Sequence, residues 1–197
     1  MVEPETPLQN LAKPGGADPA GLILAERRFP GQVILRGDGA DQGFLAAAQS
    51  VLGVAPPILP NTVAGAAGID VLWLGPEEWM LVTPPGQEAG LVERLNAACA
   101  GLHAGAIDVS DARAVIRLEG SAARRVLAKG TPLDLGASVL GPGRCAQTSL
   151  GRATVILRPV GPTGQAYEVH VGRSFAPYLW AWLLDAGREF GVRVVTP

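Results

Sequence analysis

The chain has 197 residues, 48% hydrophobic and 17% charged, with a formal net charge of −2. That balance supports a sizeable buried core and excludes an intrinsically disordered chain, while the lack of a basic tract argues against nucleic acid as a partner. Two distant cysteines, Cys99 and Cys145, make neither a disulfide framework nor a zinc site, and with no secretory signal and no membrane-length apolar run the chain is expected in the cytoplasm.

Residues 1–20 are rich in Pro and Gly and read as a flexible N-terminal arm whose only anchors are Leu8 and Leu11. Leu22 to Arg27 and Gln32 to Arg36 read as strands around the turn Phe29-Pro30-Gly31. Asp38 or Gly39 is the expected cap of a helix whose buried stripe is Phe44, Leu45, Ala48, Val51 and Leu52. Residues 53–68 read as a loop. Ile69 to Leu74 and Trp79 to Thr83 form a hairpin, and a helix is expected from about Gln87 to Ala100. Ala106 to Val109 and Arg113 to Glu119 are strands, and Ser121 is expected to cap a short helix to Lys129. Three strands follow (Ala146 to Leu150, Ala153 to Arg158, Tyr167 to Gly172), then a helix from about Phe175 to Phe190 and a short strand, Val192 to Val195.

The series repeats itself. Val33 to Arg36 aligns with Val115 to Leu118, Val71 to Trp73 with Val155 to Leu157, and Trp79 to Val82 with Tyr167 to Val171, each copy closing with a helix. Strand pairs on tight turns imply antiparallel sheet, with helices returning between hairpins, so the fold class is α+β. The expected organisation is the arm followed by a single domain, 21–197, built from two similar lobes of about 21–104 and 105–197.

The chemistry-bearing patterns are sparse. Gly37-Asp38-Gly39 with Gly43 lacks the dinucleotide spacing and the later acid that would hold a ribose. Asp108, Ser110 and Asp111 cluster at a strand end, where short polar side chains bond a turn's backbone. Neither His103 nor His170 stands in a nucleophile context. No catalytic, cofactor-binding or metal residue is therefore assigned to this chain. On the last helix Tyr178, Leu179, Trp182, Leu183, Ala186 and Phe190 are read as one face, with Trp180 and Leu184 pointing away. Trp180 and Leu184, together with Leu8 and Leu11, are the expected contacts with a partner.

Three segments resemble a known family: Leu74 to Val82, Ala106 to Leu135, and Gly141 to Thr148. Together they look like the gamma subunit of heterotetrameric sarcosine oxidase, across about residues 5 to 195. That family is related to the folate-binding fold of the glycine-cleavage T-protein, whose pattern corresponds here to Asp108, Ser110, Gly120 and Leu127. The resemblance implies the same duplicated α+β fold. It also implies a non-catalytic structural subunit of a bacterial complex that oxidatively demethylates sarcosine or a related N-methyl amino acid. The chain would pack on the alpha subunit, with beta and delta in the same assembly. FAD, FMN, NAD and tetrahydrofolate would belong to the partner subunits. T-protein-like enzymes carry an aspartate on the hairpin that corresponds to Gly151 to Leu157, and none stands there. The alternative is a stand-alone tetrahydrofolate-binding, aminomethyltransferase-like protein, with Glu119 or Asp108 supplying the acid.

Overall fold

The computed structural model describes residues 5–161 and 165–196. The chain divides into two compact units. An inserted unit spans residues 29–110; a split unit is made of the residues up to 28 and those from 111 onward. The division thus falls at 28/29 and 110/111. The lobe boundary expected near 104/105 is displaced because the strand at 22–27 joins the second half of the chain, and the strand at 105–108 stays with the first.

In the inserted unit, β3 (Gly31–Arg36) leads into α1 (Gln42–Leu52), then β4 (Val63–Ala66), β5 (Ile69–Gly75), β6 (Glu78–Thr83), α2 (Glu88–Ala98) and β7 (Gly105–Asp108). Its sheet runs β4-β5-β6-β3-β7, antiparallel throughout. Alternation on the strands sends Val33, Leu35, Val71, Trp79 and Leu81 to the face covered by α1 and α2, where they meet Phe44, Ala48, Leu52, Leu91 and Leu95. The Trp79 ring packs 5.5 Å from Phe44, and its indole N–H donates to the Pro57 carbonyl at 2.8 Å. The α1 cap is Asp41, not Asp38 or Gly39: its carboxylate accepts from Gly43 N at 2.7 Å and Phe44 N at 3.3 Å, while Asp38 closes a turn onto Ala40 N. Gly53 ends α1 at φ 73°, a left-handed conformation that glycine adopts without a Cβ penalty. Part of the expected 53–68 loop is the edge strand β4.

In the split unit, the arm contributes β1 (Gly15–Gly16), followed by β2 (Leu22–Arg27). After the insertion come β8 (Arg113–Glu119), α3 (Ala123–Ala128), β9 (Ala146–Leu150), β10 (Ala153–Val160), β11 (Ala166–Gly172), α4 (Ala176–Gly187) and β12 (Val192–Val194). The sheet order is β1-β12-β2-β8-β11-β10-β9. β12 lies parallel to β2, and every other pairing is antiparallel. The described part of the arm is therefore docked: β1 extends the sheet and Leu8 is fully buried in the core. Ser121 does not cap α3. The preceding Ala122 holds the cap position, with no side-chain bond. Gly120 lies at φ +106°, and a Cβ there would stand 2.5 Å from the Gly21 carbonyl, so a side chain would push β2 away.

Candidate functional site

The sequence-derived contacts separate once placed. Leu8 is fully buried and Trp180 is only 2% exposed, both inside the split unit's core. The face of α4 that packs inward is Ala176, Leu179, Trp180, Leu183 and Gly187, one helical stripe. Trp182 is only partly buried, with its ring over Gly130, and the Tyr178 hydroxyl accepts from Arg152 N at 3.1 Å. The expected orientation of α4 is thus reversed for Trp180, which fills its own core and has no surface left for a partner. Leu184 packs at the margin of that core, partly buried, and Leu11 remains 48% exposed.

The polar clusters are occupied by their own backbone. Asp108 accepts from Ser110 N at 2.9 Å and from the Ser110 hydroxyl at 2.6 Å, and that hydroxyl accepts from Gln32 N at 2.9 Å. The Asp108 carboxylate thus fixes a turn at the end of β7. Glu119 is paired with Arg117, two residues back on β8. Both line a cavity of about 200 Å³ with Ile23, Ala25 and Val195. The glycines before α1 serve packing: a Cβ on Gly37 would stand 2.4 Å from the Phe44 ring, and one on Gly39 would stand 2.6 Å from the Pro76 carbonyl. The Asp41 carboxylate takes the first free N–H groups of α1, where a phosphate would otherwise bind. Among the described residues, no three His, Cys, Asp or Glu side chains gather as a metal-binding group.

One charged cluster was not anticipated. Glu168 and His170 alternate along β11 with Tyr167, Val169 and Val171, so they occupy the sheet face away from the helices. Register brings Arg158 of β10 opposite Glu168. Arg158 Nη2 donates to Glu168 Oε2 at 2.7 Å and Nε does so at 3.1 Å; Arg27 Nη1 donates to both carboxylate oxygens at 3.0 and 3.1 Å. Burial alone would push the Glu168 carboxyl up, but the guanidiniums of Arg158 and Arg27, with His170, outweigh it and hold the group below the ordinary carboxylate range. His170, 3.8 Å from Glu168 and fully buried, is driven down to about 3. Burial is the main cause, and the cations Arg158, Arg27 and Arg113 add to it against the pull of Glu168. The imidazole is neutral at neutral pH. The two-residue spacing of Glu168 and His170 on an expected strand was the available signal. The cross-strand arginines were not visible without register.

Residues 36–189 match the sarcosine oxidase, gamma subunit family. The sarcosine oxidase subunit gamma of an Arthrobacter species is 36% identical over 188 residues, covering 94% of this chain and 90% of that one. Among solved structures, a chain of the heterotetrameric sarcosine oxidase from Corynebacterium sp. U-96, in complex with pyrrole 2-carboxylate, superposes with a TM-score of 0.84 at 32% identity, covering 95% of this chain and 96% of that chain. The glycine cleavage system aminomethyltransferase T of Bartonella henselae shares the fold, with a TM-score of 0.67 at 19% identity over 88% of this chain and 47% of its own. The expected α+β fold of T-protein type is thus observed. The chain belongs to the sarcosine oxidase gamma subunit family.

Proposed function

We propose that this chain is the gamma subunit of a heterotetrameric sarcosine oxidase and serves the complex structurally. The observation that carries the reading is the end-to-end correspondence with a chain of the heterotetrameric Corynebacterium complex. In this reading the complex oxidatively demethylates sarcosine or a related N-methyl amino acid in a bacterial cytoplasm. The alpha subunit is the direct neighbour, beta and delta complete the assembly, and those subunits hold FAD, FMN, NAD and tetrahydrofolate. Among the described residues no helix is long and apolar enough to cross a membrane.

The exposed apolar side chains support a covered surface. Ile58 and Leu59 are 64% and 62% exposed on a proline-flanked loop. The loop is held in shape by the Trp79–Pro57 bond and by the Thr62 hydroxyl, which donates to the Leu59 carbonyl at 2.6 Å. Leu11 and Leu184 are the remaining candidates from the arm and the last helix for contact with a neighbour. The stand-alone folate-binding alternative is not favoured, because both acids it would use, Asp108 and Glu119, already have partners in the turn and on β8.

The test is purification of the tagged chain from its native host. Three companion polypeptides and flavin absorbance are expected in the purified material. A lone, colourless chain that binds tetrahydrofolate stoichiometrically would overturn the reading.

A further inference from the structure

The split unit contains a second cavity, of about 350 Å³, lined by Gly120, Ser121, Arg124, Arg125, Gln165 and Tyr167. Among the described residues no acid lines it, although the chain as a whole is net negative. Its two guanidiniums are positioned by neutral groups. Arg124 Nε donates to the hydroxyl of buried Tyr167 at 3.1 Å, and the Arg125 guanidinium stacks 4.4 Å above the Phe190 ring. Elsewhere in the same unit arginines are used differently: Arg27 and Arg158 grip Glu168, and Arg117 grips Glu119. Among the described residues no carboxylate lies within ion-pair distance of Arg124 or Arg125. The nearby Lys129, 4.9 Å above the same Phe190 ring, takes Glu189 for itself. No acid occurs among Pro162, Thr163 and Gly164, which precede Gln165 in sequence.

The Arg125 guanidinium, stacked on a ring, keeps its in-plane N–H donors available, and Arg124 lines the same cavity, so two positive charges face one space that an oxyanion can fill. The Ser121 hydroxyl and the Gln165 carboxamide line the same cavity and can complete the coordination of an anion's oxygens. The cavity is large enough for a small molecule and not merely a lone ion. We propose that this pocket binds a small molecule through a carboxylate or phosphate group, with Arg124 and Arg125 as its paired anchors. The lining residues all lie within the split unit.

The experiment is calorimetric titration of inorganic phosphate and, separately, succinate, at low ionic strength, into the full-length chain and into the assembled complex. Saturable binding is expected in both preparations, weakened about tenfold or more by Arg125→Gln and abolished by Ser121→Asp, which supplies a competing carboxylate from the rim. Both positions are exposed, and far-UV circular dichroism confirms that the variants fold. Arg94→Gln, outside the pocket, leaves the titration unchanged. Absence of saturable binding of either probe overturns the proposal, as does binding indifferent to both pocket variants. Binding to the free chain that vanishes in the complex also overturns it, because the pocket would then be the seat of a neighbouring subunit.

Discussion

The two units share one plan and differ in what they place on the sheet face away from their helices. In the inserted unit the centre of that face is apolar: Leu72 pairs with Met80, Met80 with Ile34, and Val82 lies two residues along, all buried, with buried Gln32 beside Val82 as an uncharged polar exception. At the corresponding register of the split unit, Arg158 pairs with Glu168, Glu168 with Arg117, and His170 lies two residues along. The same backbone ladder thus carries hydrocarbon in one copy and a desolvated ion cluster in the other. A duplicated fold does not require a duplicated interior. Hydrocarbon there stabilises outright, whereas a buried ion cluster is stable only while every member is present.

The largest effects follow from breaking that cluster. Glu168→Gln removes the charge that Arg158 and Arg27 both grip and is expected to cost about 3–5 kcal/mol in urea unfolding. The double change Arg158→Leu with Glu168→Met, which copies the inserted unit, is expected to cost far less than the single change. A double variant worse than Glu168→Gln would mean that the two faces are not interchangeable. On the helix side, Trp180→Ala is expected to cost about 3–5 kcal/mol because it empties a filled core. Leu184→Ala, at the margin, should cost clearly less, and equal losses would contradict the placement of Trp180.

Acid tests the same contrast. The His170 pKa is depressed in the fold, so the unfolded chain binds its proton first as pH falls. Stability is full above the unfolded value near 6.5 and is lost progressively toward about 3. Glu168, also depressed, adds a loss in the same direction below the ordinary carboxylate range. Between pH 6.5 and 5, His170 alone should remove about 1–2 kcal/mol. His170→Gln should flatten that part of the profile of urea midpoints against pH, and an unchanged slope would locate the titration elsewhere.

The smallest effect concerns the sheet edges. In the split unit β2 lies beside β8, with β12 and β1 beyond it; in the inserted unit β7 lies beside β3 and ends the sheet. There the Asn96 carboxamide takes the place of a further strand: it accepts from Ala106 N at 2.7 Å and donates to the Ala106 carbonyl at 3.1 Å. Asn96→Ala should cost about 1–2 kcal/mol for two lost bonds and increase self-association in light scattering, since an uncovered edge invites pairing.

How far the sequence revealed this depends on the residue. The hairpin of Ile69 to Leu74 and Trp79 to Thr83 was readable because two apolar runs flank the turn at Gly75-Pro76. β4 was not, because Val-Ala-Gly-Ala lacks the bulky side chains that mark a strand. The α1 cap was ambiguous because Asp38, Gly39 and Asp41 crowd four positions, and only geometry selects Asp41. α4 is apolar around most of its circumference, so the helical wheel offered two stripes and the wrong tryptophan was assigned to the surface. The Arg158–Glu168 pairing needs strand register, which no local pattern supplies.

The chain's threading also bears on its birth at the ribosome. Every strand of the inserted unit finds its neighbours among residues 29–110, so that unit can close while translation continues. β2, made earlier, has to wait: one neighbour is β8 and the other is β12, translated only after the whole inserted unit and α4. Until then its apolar Leu22 and Leu24 stay uncovered, open to chaperones and to misassembly while the whole inserted unit is made.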